Sequence, residues 1–211
     1  MDNRGFTGVV YNTSDWLMKF AMINLFWVLL TICGLGLFGL FPATIAMFDV
    51  ISKLRKKEEF PIFKTFCVIY KKEFIKGNIM GMILIVIGTI FYLDLYFVQR
   101  TSNQLFQVLF YPLVILNFIF YICVLYVFPI YTHYQLKIAQ ILKNAFLIMI
   151  ANPIATIAMI SSVTFVVVLT MILPATLLFF SGSILAFFIT SIANSSFQKI
   201  EQKKIKYKNI R

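Results

Sequence analysis

The segment 39-GLFPATIAMFDVISKLRKKEE-59 begins apolar, carries a turn signal between Gly39 and Pro42, and ends in a run of charge that starts at Lys53. Four chain breakers, Gly34, Gly36, Gly39 and Pro42, sit where the preceding apolar run would end. Pro42 suits the first turn of a new helix, where its missing N–H has no helical partner to lose. Two geometries satisfy this pattern for residues 34–60. Residues 42–57 form a separate short helix along or out of the inner surface, or one long helix continues through a proline kink. In both, the charges halt the first apolar segment at the cytoplasmic face.

The chain has 211 residues, 61% of them hydrophobic and 13% charged. A soluble domain is about half apolar and about a quarter charged. The excess lies in long runs, which is the pattern of a membrane protein. A balance of 19 Lys/Arg against 8 Asp/Glu would point to nucleic acid in a soluble chain. Here the basic residues fall between apolar runs, so they read as loops facing anionic lipid, with no nucleic-acid partner. Cys33, Cys67 and Cys123 are scattered and have neither CxxC spacing nor the pairing of a disulfide framework. No basic n-region with a cleavage site precedes the first run, so that run is expected to stay in the mature protein.

A spanning helix needs about 20 mostly apolar residues. The expected spans are residues 20–41, 77–98, 105–128, 144–172 and 173–193, within a single integral membrane domain over 1–198 and a basic cytoplasmic tail over 199–211. Ser14 is the expected N-cap of the first helix. The stretch from Ala145 to Ala193 carries no charge and is too long for one crossing; Pro174 divides it, and Pro153 offers a second break. The fold class is therefore an all-α membrane protein with five transmembrane helices. Basic residues cluster over 53–76, at Lys137 and Lys143, and in the tail. By the positive-inside rule this puts the N-terminus outside and the C-terminus in the cytoplasm.

Two cytoplasmic segments read as amphipathic helices. In 61-PIFKTFCVIYKKEF-74, Phe63, Phe66, Cys67, Tyr70 and Phe74 recur at helical spacing while Lys64, Lys71 and Lys72 point elsewhere. In 133-HYQLKIAQILKNAFL-147, Tyr134, Ile138, Ile141, Leu142 and Ala145 share a face. Each leads into a span. Simple anchoring accounts for both; the sharper reading is a docking surface for a cytoplasmic partner, carried by Phe63, Lys64, Phe66, Lys71, Lys137, Lys143 and Asn144.

Asp94 falls near the outer end of a span, and Asp49 near the inner surface within i+4 reach of Lys53. Asn24 and Asn117 lie inside spans, where asparagine usually bonds a neighbouring helix. His133 is the only histidine, and no Walker loop, G-x-S-x-G or ligand-spaced His/Cys set is present. The expectation is no enzyme, no cofactor and no metal, with Gly39, Pro42, Ala43 and Thr44 forming a structural turn.

Residues 23-INLFWVLLTICGLGLFGLFPATIAMFDVISKLRKKEEFPIFKTFCVIYKKEFIKGN-78 resemble the N-terminal half of the YesL-like bacterial membrane proteins. The resemblance rests on Asn24-Leu25-x-Trp27, on Gly39 followed by Pro42-Ala43-Thr44-x-Ala46, on Phe63-x-x-Phe66 before Lys71, Lys72 and Gly77, and later on Lys143-Asn144-Ala145. Phe41 stands where the family pattern has glycine. The resemblance implies a multi-pass protein of the bacterial plasma membrane, in a family without an assigned chemistry. Such proteins are often encoded beside ABC-type carbohydrate importers, which implies an accessory role with permease or ATPase subunits as partners, alongside the lipid bilayer. A small homo-oligomeric transporter or channel is the alternative; a membrane enzyme lacks a catalytic set.

Overall fold

A computed structural model of the chain describes residues 6–100, 104–134 and 136–208, with side chains over 11–100, 108–134 and 136–202. The described residues form eight helices: α1 (Phe6–Cys33), α2 (Leu37–Arg55), α3 (Ile62–Arg100), α4 (Gln104–His133), α5 (Ile138–Ala151), α6 (Pro153–Ile172), α7 (Ala175–Phe179) and α8 (Ser181–Lys208). Five described helices are long and apolar enough to cross a membrane, at Tyr11–Cys33, Leu37–Arg55, Ile62–Arg100, Val108–His133 and Pro153–Ile172.

The first apolar run stops earlier than expected. Instead of continuing to Phe41, α1 ends at Cys33, and the chain reverses within three residues. Leu35 and Gly36 both take left-handed backbone angles, with φ of 59° and 74°. The Gly34 N–H donates to the Leu30 carbonyl (3.0 Å) and the Gly36 N–H to that of Thr31 (2.9 Å), which closes the helix end. The two arms then touch backbone to backbone. A Cβ on Gly39 would collide with the Thr31 carbonyl oxygen and lie 2.7 Å from that of Leu30.

Residues 37–55 are thus a separate helix, and a central one. Ten α2 residues are buried, among them Pro42, Ala43, Ile45, Ala46, Val50 and Ile51. Pro42 sits inside this helix instead of at its first turn, and Ser14 lies within α1 instead of capping it. The expected span 144–172 is divided at Asn152 between α5 and α6. The expected span 173–193 is divided between α7 and α8 around Phe180, so the fifth helix able to cross is α2 in its place. Expected spans 77–98 and 105–128 fall inside α3 and α4.

The chain folds as two compact units, one of Met1–Phe74 with Ser161–Thr190, the other of Ile75–Ile160 with Ser191–Arg211. In the first, α8 runs antiparallel to α1. Asn24 meets Ser183, Phe20 meets Phe187 (ring centroids 5.3 Å), and Trp16 also meets Phe187 (5.9 Å). At the same end Arg55, the last residue of α2, donates from Nη1 to the Thr190 carbonyl (3.3 Å) and lies over the Phe187 ring. The start of α1, the end of α2 and the Thr190 end of this α8 segment therefore lie together. In the second unit, α3 and α4 pack through Phe91 and Phe120 (5.3 Å), with Gly88 under the Phe120 ring.

The hairpin contact yields a graded prediction. Gly39→Leu forces a side chain into the α1 backbone and should cost about 3 kcal/mol or more. Gly36→Ala meets open space but must hold φ 74° with ψ −89°, a γ-turn conformation strained for any L residue, and should cost about 1–3 kcal/mol. Thermal unfolding in detergent, followed by size-exclusion chromatography, should rank Gly39→Leu well below Gly36→Ala; equal midpoints would remove the close-approach account.

Candidate functional site

The seam between α1, α2, α7 and α8 holds a connected set of polar contacts. Asn24 is fully buried. Its Nδ2 donates to the Leu178 carbonyl at 2.7 Å and, more weakly, to that of Leu177 at 3.4 Å. Its Oδ1 accepts the Ser183 N–H at 3.1 Å. One side chain thus joins the end of α7 to the start of α8, taking up carbonyls and an N–H that the helix break leaves without regular partners. Gly182 permits this approach: a Cβ there would lie 2.8 Å from Asn24 Oδ1.

One turn further along α1, Trp27 Nε1 donates to Thr44 Oγ1 (3.0 Å), and Thr44 Oγ1 donates to the Leu40 carbonyl (2.7 Å). Tyr70 of α3 donates to the Leu30 carbonyl (3.1 Å), beside the α1–α2 reversal. Gly39, Pro42 and Ala43 are buried here and Thr44 half-buried. The structure therefore brings the four expected turn residues onto one seam with Asn24 and Trp27, inside a helix and not in a turn. Asn24 was legible as a helix-to-helix hydrogen-bonding residue; that its partners are backbone groups at a break was not, because the break itself was hidden in the uncharged stretch. Tyr70 carried no signal beyond its place on an apolar face.

The expected docking residues divide. Phe63, Lys64 and Lys71 are exposed on the first turns of α3, together with Val68, Lys72 and Ile75. Phe66 is fully buried against Phe26 and belongs to the core, so it is removed from the docking set. Ile69 is buried beneath the same helix. Lys137, Lys143 and Asn144 belong to the second unit, where both lysines are exposed and Asn144 is half-buried midway along α5. Asp49 and Lys53 form the expected i,i+4 pair at 3.1 Å.

The second unit has its own polar junctions. Thr156 Oγ1 bonds the Tyr126 hydroxyl (2.8 Å) and donates to the Met149 and Asn152 carbonyls (3.1 Å each), bridging the break between α5 and α6. Asn117 Nδ2 donates to the Phe91 carbonyl (3.1 Å). Beyond α4, the Tyr134 hydroxyl donates to Glu201 Oε1 (3.2 Å), which lies 3.6 Å from His133 Nε2, and Phe197 packs on both rings. Burial first, and the Glu201 carboxylate second, push the Tyr134 phenol up to about 12. That hydroxyl stays protonated as a donor at neutral pH.

Residues 20–95 match the family model described as "Protein of unknown function, DUF624". Three Bacillus subtilis (strain 168) proteins are similar over nearly their whole length. YteU is 34% identical over 96% of this chain and 91% of its own, YesL 34% over 92% and 91%, and YesV 31% over 92% and 94%. Each bears the name "uncharacterized protein". No solved structure matches.

Asn24→Leu keeps the volume near constant and removes three bonds, taking a partner from the buried Ser183 N–H and from the Leu178 carbonyl, while the Leu177 carbonyl keeps the Ser181 hydroxyl. It should cost about 2–4 kcal/mol, since each orphaned buried group costs about 1–3 kcal/mol. Gln at this position, which keeps both donor and acceptor, should recover part of that. Melting points of the three proteins in one detergent test this, and a Leu variant as stable as the parent would refute the clamp.

Proposed function

This chain belongs to the YesL-like DUF624 family, and on that premise we propose that it is a non-enzymatic integral protein of the bacterial plasma membrane, an accessory subunit of ABC-type carbohydrate uptake. The observation that carries the docking half of this reading is the exposed face of α3. Phe63 is 59% exposed and Val68 58%, with Lys64, Lys71 and Lys72 exposed beside them. Phe66 and Ile69 hold the helix from beneath, so the face is presented without being free to collapse. Large apolar side chains interleaved with lysines suit a partner surface of apolar pockets and carboxylates, which a permease or its ATPase would supply. The carbohydrate association rests on the family resemblance alone.

The orientation in this reading departs from the one expected above. That expectation counted residues 20–41 as a single crossing. With α1 and α2 both crossing, a cytoplasmic 53–76 segment requires a cytoplasmic N-terminus. The antiparallel course of the Ser181–Thr190 segment along α1 is compatible with the same placement, since it brings Thr190 to the end where α1 begins. The six-pass form of this reading takes α7 and α8 together as a broken last crossing.

Two experiments follow. The tagged protein, purified from its host, should bring down permease and ATPase subunits, and Lys64→Glu with Lys71→Glu should cut their recovery about tenfold while leaving the melting point unchanged. Isolation alone, as a defined oligomer, would shift the reading to a homo-oligomeric transporter or channel. For orientation, single cysteines are placed in a background where Cys33, Cys67 and Cys123 are alanine. Leu35→Cys should react with an impermeant maleimide in intact cells, and Asn12→Cys and Glu58→Cys only after permeabilisation. Labelling of Asn12→Cys in intact cells would restore an outside N-terminus.

A further inference from the structure

Where α5 meets α6, the second unit leaves a cavity of about 320 Å³ against α8. Its walls stay apart because they are built of small side chains, Ala155 and Ala158 on one side and Ser195 and Ser196 on the other. Lys199 stands at its rim. Lys199 is exposed and makes no ion pair among the described residues. The acid closest to it in sequence, Glu201, accepts from Tyr134 and lies beside His133. The cavity therefore carries a positive charge that no neighbouring carboxylate cancels.

The depth of the cavity is set by α6. Its wall includes Pro153, the first residue of a helix able to cross a membrane, and Lys199 follows the long uncharged stretch that ends in α8. Both features belong at the level of lipid headgroups. The hydroxyls of Ser195 and Ser196 donate to carbonyls one turn back, at 3.1 and 3.3 Å. These are ordinary neutral bonds, and an anion in the cavity offers either hydroxyl a stronger, charge-assisted acceptor. Ile154, 83% exposed at the lip, offers an apolar flank.

We propose that this cavity binds a phosphate-bearing anion, with Lys199 as its counter-charge and Ser195 and Ser196 as donors. Its depth makes the phosphate of an anionic phospholipid the fitting source. The inference rests on the chain being an integral membrane protein and is independent of the accessory role.

The test reconstitutes the parent protein, Lys199→Gln, Ala155→Leu and the control Lys76→Gln in phosphatidylcholine nanodiscs holding a minor fraction of phosphatidylglycerol, then counts retained lipids by native mass spectrometry. Ala155→Leu fills the cavity without changing charge, and Lys199→Gln alters an exposed side chain that cannot unfold the core. The parent and Lys76→Gln should retain phosphatidylglycerol over phosphatidylcholine, and the two cavity variants should lose that preference about fivefold, the worth of one lysine at a lipid surface. A second arm adds inorganic phosphate to protein in pure phosphatidylcholine and reads the melting point. A rise in the parent but not in Lys199→Gln, without phosphatidylglycerol retention, identifies a soluble phosphate as the source. Equal lipid retention in all four proteins, with no phosphate effect, overturns the proposal.

Discussion

Hydrocarbon supplies no water to a helix that stops within it, so each interrupted helix must find protein partners for the backbone groups it exposes. Among the described residues, three of the breaks between helices, wherever they lie relative to the bilayer, are attended by a polar side chain. At the α1–α2 reversal, the Tyr70 hydroxyl adds a second donor to the Leu30 carbonyl, which already accepts the Gly34 N–H. Between α5 and α6, Thr156 takes the Met149 and Asn152 carbonyls, itself held by Tyr126. Between α7 and α8, Asn24 accepts one N–H and donates to two carbonyls.

The α1–α2 hairpin shows how that constraint selects residues. Two helices joined by three residues must approach closely at the joint. Gly34 and Gly39 face each other there, with no room for a Cβ on either. Beyond the joint the arms can separate enough for Trp27 to meet Thr44. The positions that carry the YesL-like resemblance, Asn24, Trp27, Gly39 and Thr44, are thus the polar and close-packed points of one seam. Phe41, which departs from that pattern, lies mid-helix with ordinary backbone angles. The left-handed residues nearby are Leu35 and Gly36, so glycine is not required at 41.

The number of membrane-capable helices was readable from apolar run length, and the Asp49–Lys53 pair from spacing. The position of the first break was not. Pro42 drew the expected turn toward itself, yet a proline costs a helix one donor, and here α2 continues through it, buried among α1 and its neighbours. The deeper reason is that lipid-facing and core-facing positions are both apolar. Leu29 and Ile32 are more than half exposed while Ile23 is fully buried, and nothing in residue type separates them. The same ambiguity put Phe66 among docking residues when it is core. Lysines do not share it: Lys64, Lys71, Lys137 and Lys143 were legible as exposed, and they are. The cavity beside Lys199 had no signature because it is made by alanines and serines from segments distant in sequence.

The same satisfied breaks bear on what the protein does. A discontinuous helix is where transporters expose half-helix ends to a solute or ion. Here the α7–α8 break resembles that device in outline and differs in chemistry. The Leu177 and Leu178 carbonyls and the Ser183 N–H, the groups such a site would offer, are already bonded to Asn24, which is itself inaccessible. Asn117, Asn152 and Thr156 are spent on backbone carbonyls in the same way. A solute using these groups would first have to displace internal bonds that hold the helices in place. The exposed lysines and apolar side chains at the start of α3 carry no such penalty, since a partner covering Phe63 and Val68 gains buried apolar area without breaking a bond that the fold requires. That energetic comparison is the physical ground for proposing recognition at the protein's surface in preference to passage through its interior.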